Sequence, residues 1–177
     1  MINKTWEDRT EELTPPEVVA AIEGANLLVE RFGEWPTFED AEILALNLDR
    51  GNHWWVLETG EWGQRISPSL TATFYVFDFH HSDDTPDRKP TKSVIRFEEF
   101  EDFEIDGFNH QNPIVGLGIK YVFSRNLNKN LFSVDWGGTG IKHEASFTCG
   151  RIQVMSVEPM VWSNSGSKMD AIKHRAS

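Results

Sequence analysis

Residues 25–49 read ANLLVERFGEWPTFEDAEILALNLD, and the hydrophobic period changes midway through them. On the N-terminal side, Val18, Ile22, Ala25, Val29 and Phe32 recur at spacings of three and four, the apolar stripe of a helix that Gly33 closes at the C′ position. On the C-terminal side, Leu44, Leu46 and Leu48 alternate with Ala45, Asn47 and Asp49, a strand with one buried face. Thr14-Pro15-Pro16-Glu17 predicts the helix start as a capping box, with the hydroxyl at N-cap, proline at N1 and the carboxylate at N3. Gly24 interrupts the stripe and predicts a bend or a split into a helix pair.

After this switch the alternation continues to the end of the chain. It recurs at Leu70–Phe79, Lys92–Phe97, Phe103–Ile105, Leu117–Phe123, Leu131–Trp136, Glu144–Cys149 and Ile152–Val157. These intervals suit an antiparallel meander rather than βαβ units. The expected class is therefore α+β: an N-terminal helix or helix pair packed on a mainly antiparallel sheet or sandwich of about seven strands. One domain is expected over residues 1–162, followed by a frayed tail over 163–177. Gly51–Pro68, between the first two strands, is long enough for a hairpin extension or a functional loop, and Ser82–Pro90 reads as an exposed connection. Gly137-Gly138-Thr139-Gly140 lacks the lysine and following helix of a phosphate loop and reads as a hairpin turn.

Composition narrows the function classes. The 177 residues carry 17 Lys plus Arg against 28 Asp plus Glu, a formal net charge of −11. Such a field repels phosphate backbones and anionic lipid, which argues against nucleic acid and membrane partners, and it attracts a basic protein. No apolar run reaches the roughly eighteen residues of a membrane span. Met1–Thr10 has no apolar stretch of a secretory signal, and a single cysteine, Cys149, suits a reducing cytoplasm. Phe147, Thr148 and Gly150 around it offer no group to activate the thiol, so Cys149 reads as a buried strand residue.

Several side-chain groupings could carry chemistry. His80-His81-Ser82-Asp83-Asp84 is the most metal-like string, but neighbouring strand residues face opposite ways, so a polar strand end is preferred. Asp40 and Glu42 share a strand face without a nucleophile beside them, and Asp40 reads as a hydrogen-bonding residue at the strand entrance. His110, among Asn109, Gln111 and Asn112, reads as part of a polar turn. A metal-assisted hydrolase built on His80, His81, Asp83, Asp84, Asp40 or His110 lacks a complete ligand set, so no metal, no cofactor and no enzymatic activity are expected. Glu98, Glu99, Glu101, Asp102, Glu104 and Asp106 form an acid cluster in which Phe100, Phe103 and Ile105 should anchor the strand. Trp54, Trp55 and Trp62 lie in the Gly51–Pro68 excursion, as contact anchors or as a cover over one end of the sheet.

The segment from Ala25 to Ile43, with Phe32-Gly33-Glu34-Trp35-Pro36-Thr37-Phe38 followed by Asp40-Ala41-Glu42, resembles the immunity protein 50 family of bacterial polymorphic toxin systems. Gly107–Asn112, with Asn109 and Asn112, and the ending Phe147-x-Cys149-x-x-Ile152-x-Val154 extend the likeness over residues 25–159. Glu39 stands where that family usually has histidine. The resemblance implies a cytoplasmic, non-enzymatic protein that binds and neutralises a cognate toxin domain. Glu98, Glu99, Glu101, Asp102, Trp54, Trp55 and Trp62 are its candidate contact residues. The alternative expectation is a carbohydrate or small-ligand binding β module built on the tryptophan-rich excursion.

Overall fold

In the computed structural model, residues 14–56, 59–60, 62–77, 89–106, 113–138 and 144–160 are described. His80, His81, Asp83, Asp84, Asn109, His110 and Asn112 lie outside them, as do Thr139, Gly140 and the expected tail.

Two short helices open the described chain, α1 (Pro16–Val19) and α2 (Ala25–Phe32). The expected stripe is thus split, at Gly24, whose φ of 72° is left-handed. The capping box does not form: Pro15 occupies the N-cap of α1 without a side-chain bond. The Thr14 hydroxyl instead donates to the Leu117 carbonyl, 3.2 Å away, on a distant strand. Gly33 ends α2 as expected, with φ 95° and its N–H bonded to the Val29 carbonyl.

Ten strands follow among the described residues: β1 (Glu42–Asp49), β2 (Asn52–Val56), β3 (Trp62–Ile66), β4 (Ser69–Val76), β5 (Thr91–Glu98), β6 (Glu101–Asp106), β7 (Ile114–Ser124), β8 (Lys129–Gly138), β9 (Glu144–Cys149) and β10 (Arg151–Pro159). Eight of them form two antiparallel four-stranded sheets, ordered β1-β4-β5-β10 and β6-β9-β8-β7. The remaining two make the Gly51–Pro68 excursion a separate hairpin, with Trp55 opposite Gly63 and Trp62 opposite Val56. The alternating segments expected from the sequence correspond to the eight strands of the two sheets, and the hairpin adds two more. The order is not a plain meander, because β10 returns beside β5. Gly137 and Gly138 belong to the end of β8, opposite Gly116 and Ile114, and not to a turn.

The two sheets are joined by one continuous ribbon. β5 runs into β6 while β9 runs into β10, and pairing keeps step across the corner, with Arg151 opposite Glu98 and Glu101 opposite Thr148. Corners of this kind let strands change sheets without ending their hydrogen bonding. The opposite side is laced by the segment that follows α2. Asp40 N–H donates to the Ile114 carbonyl, Ile114 N–H to Ala41, and Leu117 N–H to Thr37.

The inner faces meet in one core. Leu70, Ala72 and Phe74 of β4, and Ile95 and Phe97 of β5, pack against Leu117, Ile119, Val134, Trp136, Phe147 and Cys149. Trp35, Phe38, Phe74, Trp136 and Phe147 form a chain of ring contacts across both sheets at 5.3–6.0 Å. The helices cover the flank: Val18, Ile22, Ala25 and Leu28 are buried, and α2 packs on β10. Glu23 adds a parallel bridge to that strand, its N–H donating to the Ile152 carbonyl and its carbonyl accepting from Val154. No helix among the described residues is long and apolar enough to cross a membrane.

Cys149 is fully buried in this core, and burial pushes its thiol up to about 12. Since the thiolate is the reactive species, native protein is expected to resist a maleimide or disulfide reagent at mildly alkaline pH and to label fully in denaturant. Rapid labelling of the folded protein would show that β9 opens locally.

Candidate functional site

The acid cluster divides into two groups once the corner forms. Glu98, at the end of β5, lies 3.2 Å from Arg96 Nε and 3.2 Å from Arg151 Nη1, and Arg151 also donates to Glu23. Glu99, with φ 55° at the turn, lies 3.3 Å from Lys129 Nζ. These two expected contact residues are therefore engaged inside the chain, tying β5, β10 and the β7–β8 hairpin around the corner. Such pairs contribute little to stability where solvent screens them.

Glu101, Asp102, Glu104 and Asp106 differ: they are exposed on β6 and have no ion pair among the described residues. Phe100 and Phe103, as expected, anchor this strand, with ring contacts to Phe147 at 6.3 and 5.7 Å. Ile105 does not follow them inward to the same degree and stays 39% exposed.

Register adds a residue that the linear sequence did not single out. Glu104 stands opposite Ser146, Ser146 opposite Asp135, and Asp135 opposite Gly118, one row across the outer face of the β6-β9-β8-β7 sheet. The row is shallow because its neighbours are small. A Cβ on Gly118 would lie 2.9 Å from Asp135 Oδ2, so glycine there leaves room for the carboxylate. Glu104, Ile105, Asp106, Asp135, Gly137 and Ser146 line a groove of about 420 Å³. Partial burial raises the Asp135 carboxyl above its ordinary range, and the positive charge of Lys120 opposes that shift without cancelling it. The groove thus concentrates carboxylates on a face that Lys120 also reaches, an arrangement that attracts a cationic surface.

Phe38, Asp40 and Glu42 sit where the segment after α2 meets the sheets. Phe38 is buried between Trp35 and Phe74, and Trp35-Pro36 connects α2 to it. Asp40 takes φ 53° at the entrance to β1 and donates its N–H across the seam, and Glu42 opens β1 opposite Tyr75. Trp54 and Trp55 lie on β2 and Trp62 on β3, in the hairpin that pairs with neither four-stranded sheet. Among the described residues no cluster of His, Cys, Asp or Glu is arranged to hold a metal ion.

Fold and groove together define a two-sheet antiparallel β protein with an N-terminal helix pair and a carboxylate-lined outer face. No protein-family model, curated protein or solved structure matches the chain.

Proposed function

We propose that this chain is a cytoplasmic, non-enzymatic immunity protein that neutralises a cognate bacterial toxin domain by occluding a basic surface of it. The observation that carries this reading is the row of exposed carboxylates on β6, continued by Asp135 into the groove. The resemblance of residues 25–43 to the immunity protein 50 family supports it, as does the net charge of −11. The contact residues are revised accordingly. Glu101, Asp102, Glu104, Asp106 and Asp135 face the partner, whereas Glu98 and Glu99 hold the corner that presents them. Complementary charge of this kind raises association rate more than it lowers dissociation rate.

The test is co-expression with toxin domains encoded beside the gene, scored by rescue of growth and by co-purification. Rescue with a stable complex is expected from one such partner. In that complex, E104K/D106K is expected to slow association by at least about tenfold and to flatten its salt dependence. Failure of every neighbouring toxin domain, with soluble protein present, would remove the immunity reading. Unchanged association in the double variant would instead move the contact off this face.

The separate hairpin favours a second reading, a carbohydrate-binding module, because it sets Trp54, Trp55 and Trp62 on a two-stranded ribbon of its own. Binding on a glycan array that is lost in Trp55→Ala would support it; silence of folded protein on that array would dismiss it.

A further inference from the structure

The β6-β9-β8-β7 sheet has two outer strands, and they differ in charge. β6 carries Glu101, Asp102, Glu104 and Asp106. Between Asp106 and Asp135 the sequence has no acid at all, while Lys120, Arg125 and Lys129 fall within it, so the β7–β8 hairpin is a cationic element in a chain of charge −11. The near half of β7 is covered, since Leu117 N–H donates to Thr37 and the Leu117 carbonyl accepts from Thr14. Both backbone groups of Leu117 thus point away from β8. The period of two then turns the N–H and C=O of Ile119, Tyr121 and Phe123 the same way. Among the described residues, none of these three has a backbone partner on that side. Tyr121 is 43% and Phe123 57% exposed, although both lie on the face that buries Leu117 and Ile119 further down the strand.

We infer that the free edge of β7, Ile119 to Ser124, receives β6 of a second copy of this chain. Direction, length, faces and charge all agree. Three successive antiparallel steps separate β6 from β7, so a copy displaced sideways in the plane of the sheet brings its β6 antiparallel to β7 with inner faces on the same side. β6 is 6 residues long, as is the free stretch, and a bulge at Asp102 (φ 55°) leaves Glu104–Asp106 as its regularly paired part. On the outer face Lys120 meets Glu104 or Asp106 of the neighbour. On the inner face Tyr121 and Phe123 meet Phe103 and Ile105. Unpaired edges with apolar flanks are templates for such addition, and opposite charges placed across strands favour it. The contact is heterologous, so it propagates head to tail. It also covers part of the acid row, so self-association and binding of a basic partner compete.

Sedimentation velocity of the full chain alone, at 0.15 M salt, tests this without any toxin and so separately from the proposed function. The weight-average mass of the wild type is expected to rise with concentration. Tyr121→Pro removes an N–H that β8 does not use, together with the ring stacked on Phe132 at 5.2 Å, and it is expected to abolish the rise. E104K/D106K is expected to abolish it from the other edge. An equimolar mixture of the two variants retains one intact β6 and one intact β7, and is expected to give a single species of twice the chain mass. Each variant is checked for the wild-type circular dichroism spectrum, and Lys120→Glu probes the β7 edge by charge should the proline variant not fold. A wild type that stays monomeric to its solubility limit overturns the inference. Association that survives both variants places the contact elsewhere. Association lost in Tyr121→Pro but kept in E104K/D106K, with no mixed dimer, means two β7 edges pair about a two-fold axis instead.

Discussion

Trp136→Ala is expected to lower the stability of this protein by about 3–5 kcal/mol, a large part of the roughly 5–15 kcal/mol that holds a domain folded. Trp136 is 1% exposed on β8, with ring contacts to Phe74 at 6.0 Å, Phe97 at 6.4 Å and Phe147 at 5.6 Å. Two of those partners belong to the opposite sheet, so this one indole joins the inner faces. Truncation removes the transfer free energy of the ring and leaves a cavity between two hydrogen-bonded sheets that cannot readily close around it. Trp136→Phe keeps an aromatic ring against Phe74 and Phe147, and its loss should be markedly smaller. Urea denaturation measures both, provided the slope of stability against denaturant is unchanged. A loss below about 1 kcal/mol for the alanine variant would mean that the sheets do not meet through this ring. The consequence reaches the groove, because Asp135 immediately precedes Trp136 on β8 and faces outward only while Trp136 is held inward.

The change from helix to strand was legible in Gly33 and in the alternation that follows Ala41, but its buried face was not: Leu44 is 37% and Leu48 56% exposed, Leu46 is half-buried, and Ile43 is the buried residue of β1. The eight sandwich strands were legible because alternation at period two is a local property. What alternation does not encode is partnership. Phe97 and Phe103 both read as inward positions of strands, yet they lie in different sheets, separated by a corner at Glu99 that depends on Gly150 and the returning β9–β10 ribbon. The site was half legible for the same reason. Six acids in nine residues announce a charged face, but besides the nearby Arg96 the cations that engage Glu98 and Glu99 include Arg151 and Lys129, 53 and 30 residues away. Asp135 enters the row only through the register of four strands. Thr14 shows the opposite case, a clear local signal overridden by tertiary structure, since its hydroxyl caps a carbonyl of β7 rather than its own helix.

Gly24→Ala is expected to destabilise the protein by roughly 2–4 kcal/mol, and Gly33→Ala by about 1–2 kcal/mol, although both glycines flank the same helix. Each has a left-handed backbone, φ 72° at Gly24 and 95° at Gly33, so each alanine carries a similar conformational cost. Their surroundings differ. A Cβ on Gly33 would meet nothing within 4 Å, whereas one on Gly24 would lie 2.6 Å from the backbone oxygen of Val154. That oxygen belongs to a strand and cannot rotate aside as a side chain would. Relief requires the chain at Glu23 to withdraw from β10, which breaks the bonds from Glu23 N–H to Ile152 and from Val154 N–H to the Glu23 carbonyl, now 3.0 and 2.8 Å. Both free groups are then left at the edge of a four-stranded sheet. The difference between the two variants, read from chemical denaturation, therefore isolates the docking of the helix pair from backbone strain. Equal losses would show that α2 is held to the sandwich by Ala25 and Leu28 alone, and that the Glu23 bridge contributes nothing to it. A larger loss at Gly24, with amide exchange accelerated at Val154, would establish that the bridge closes the β10 edge and keeps it from pairing with another chain.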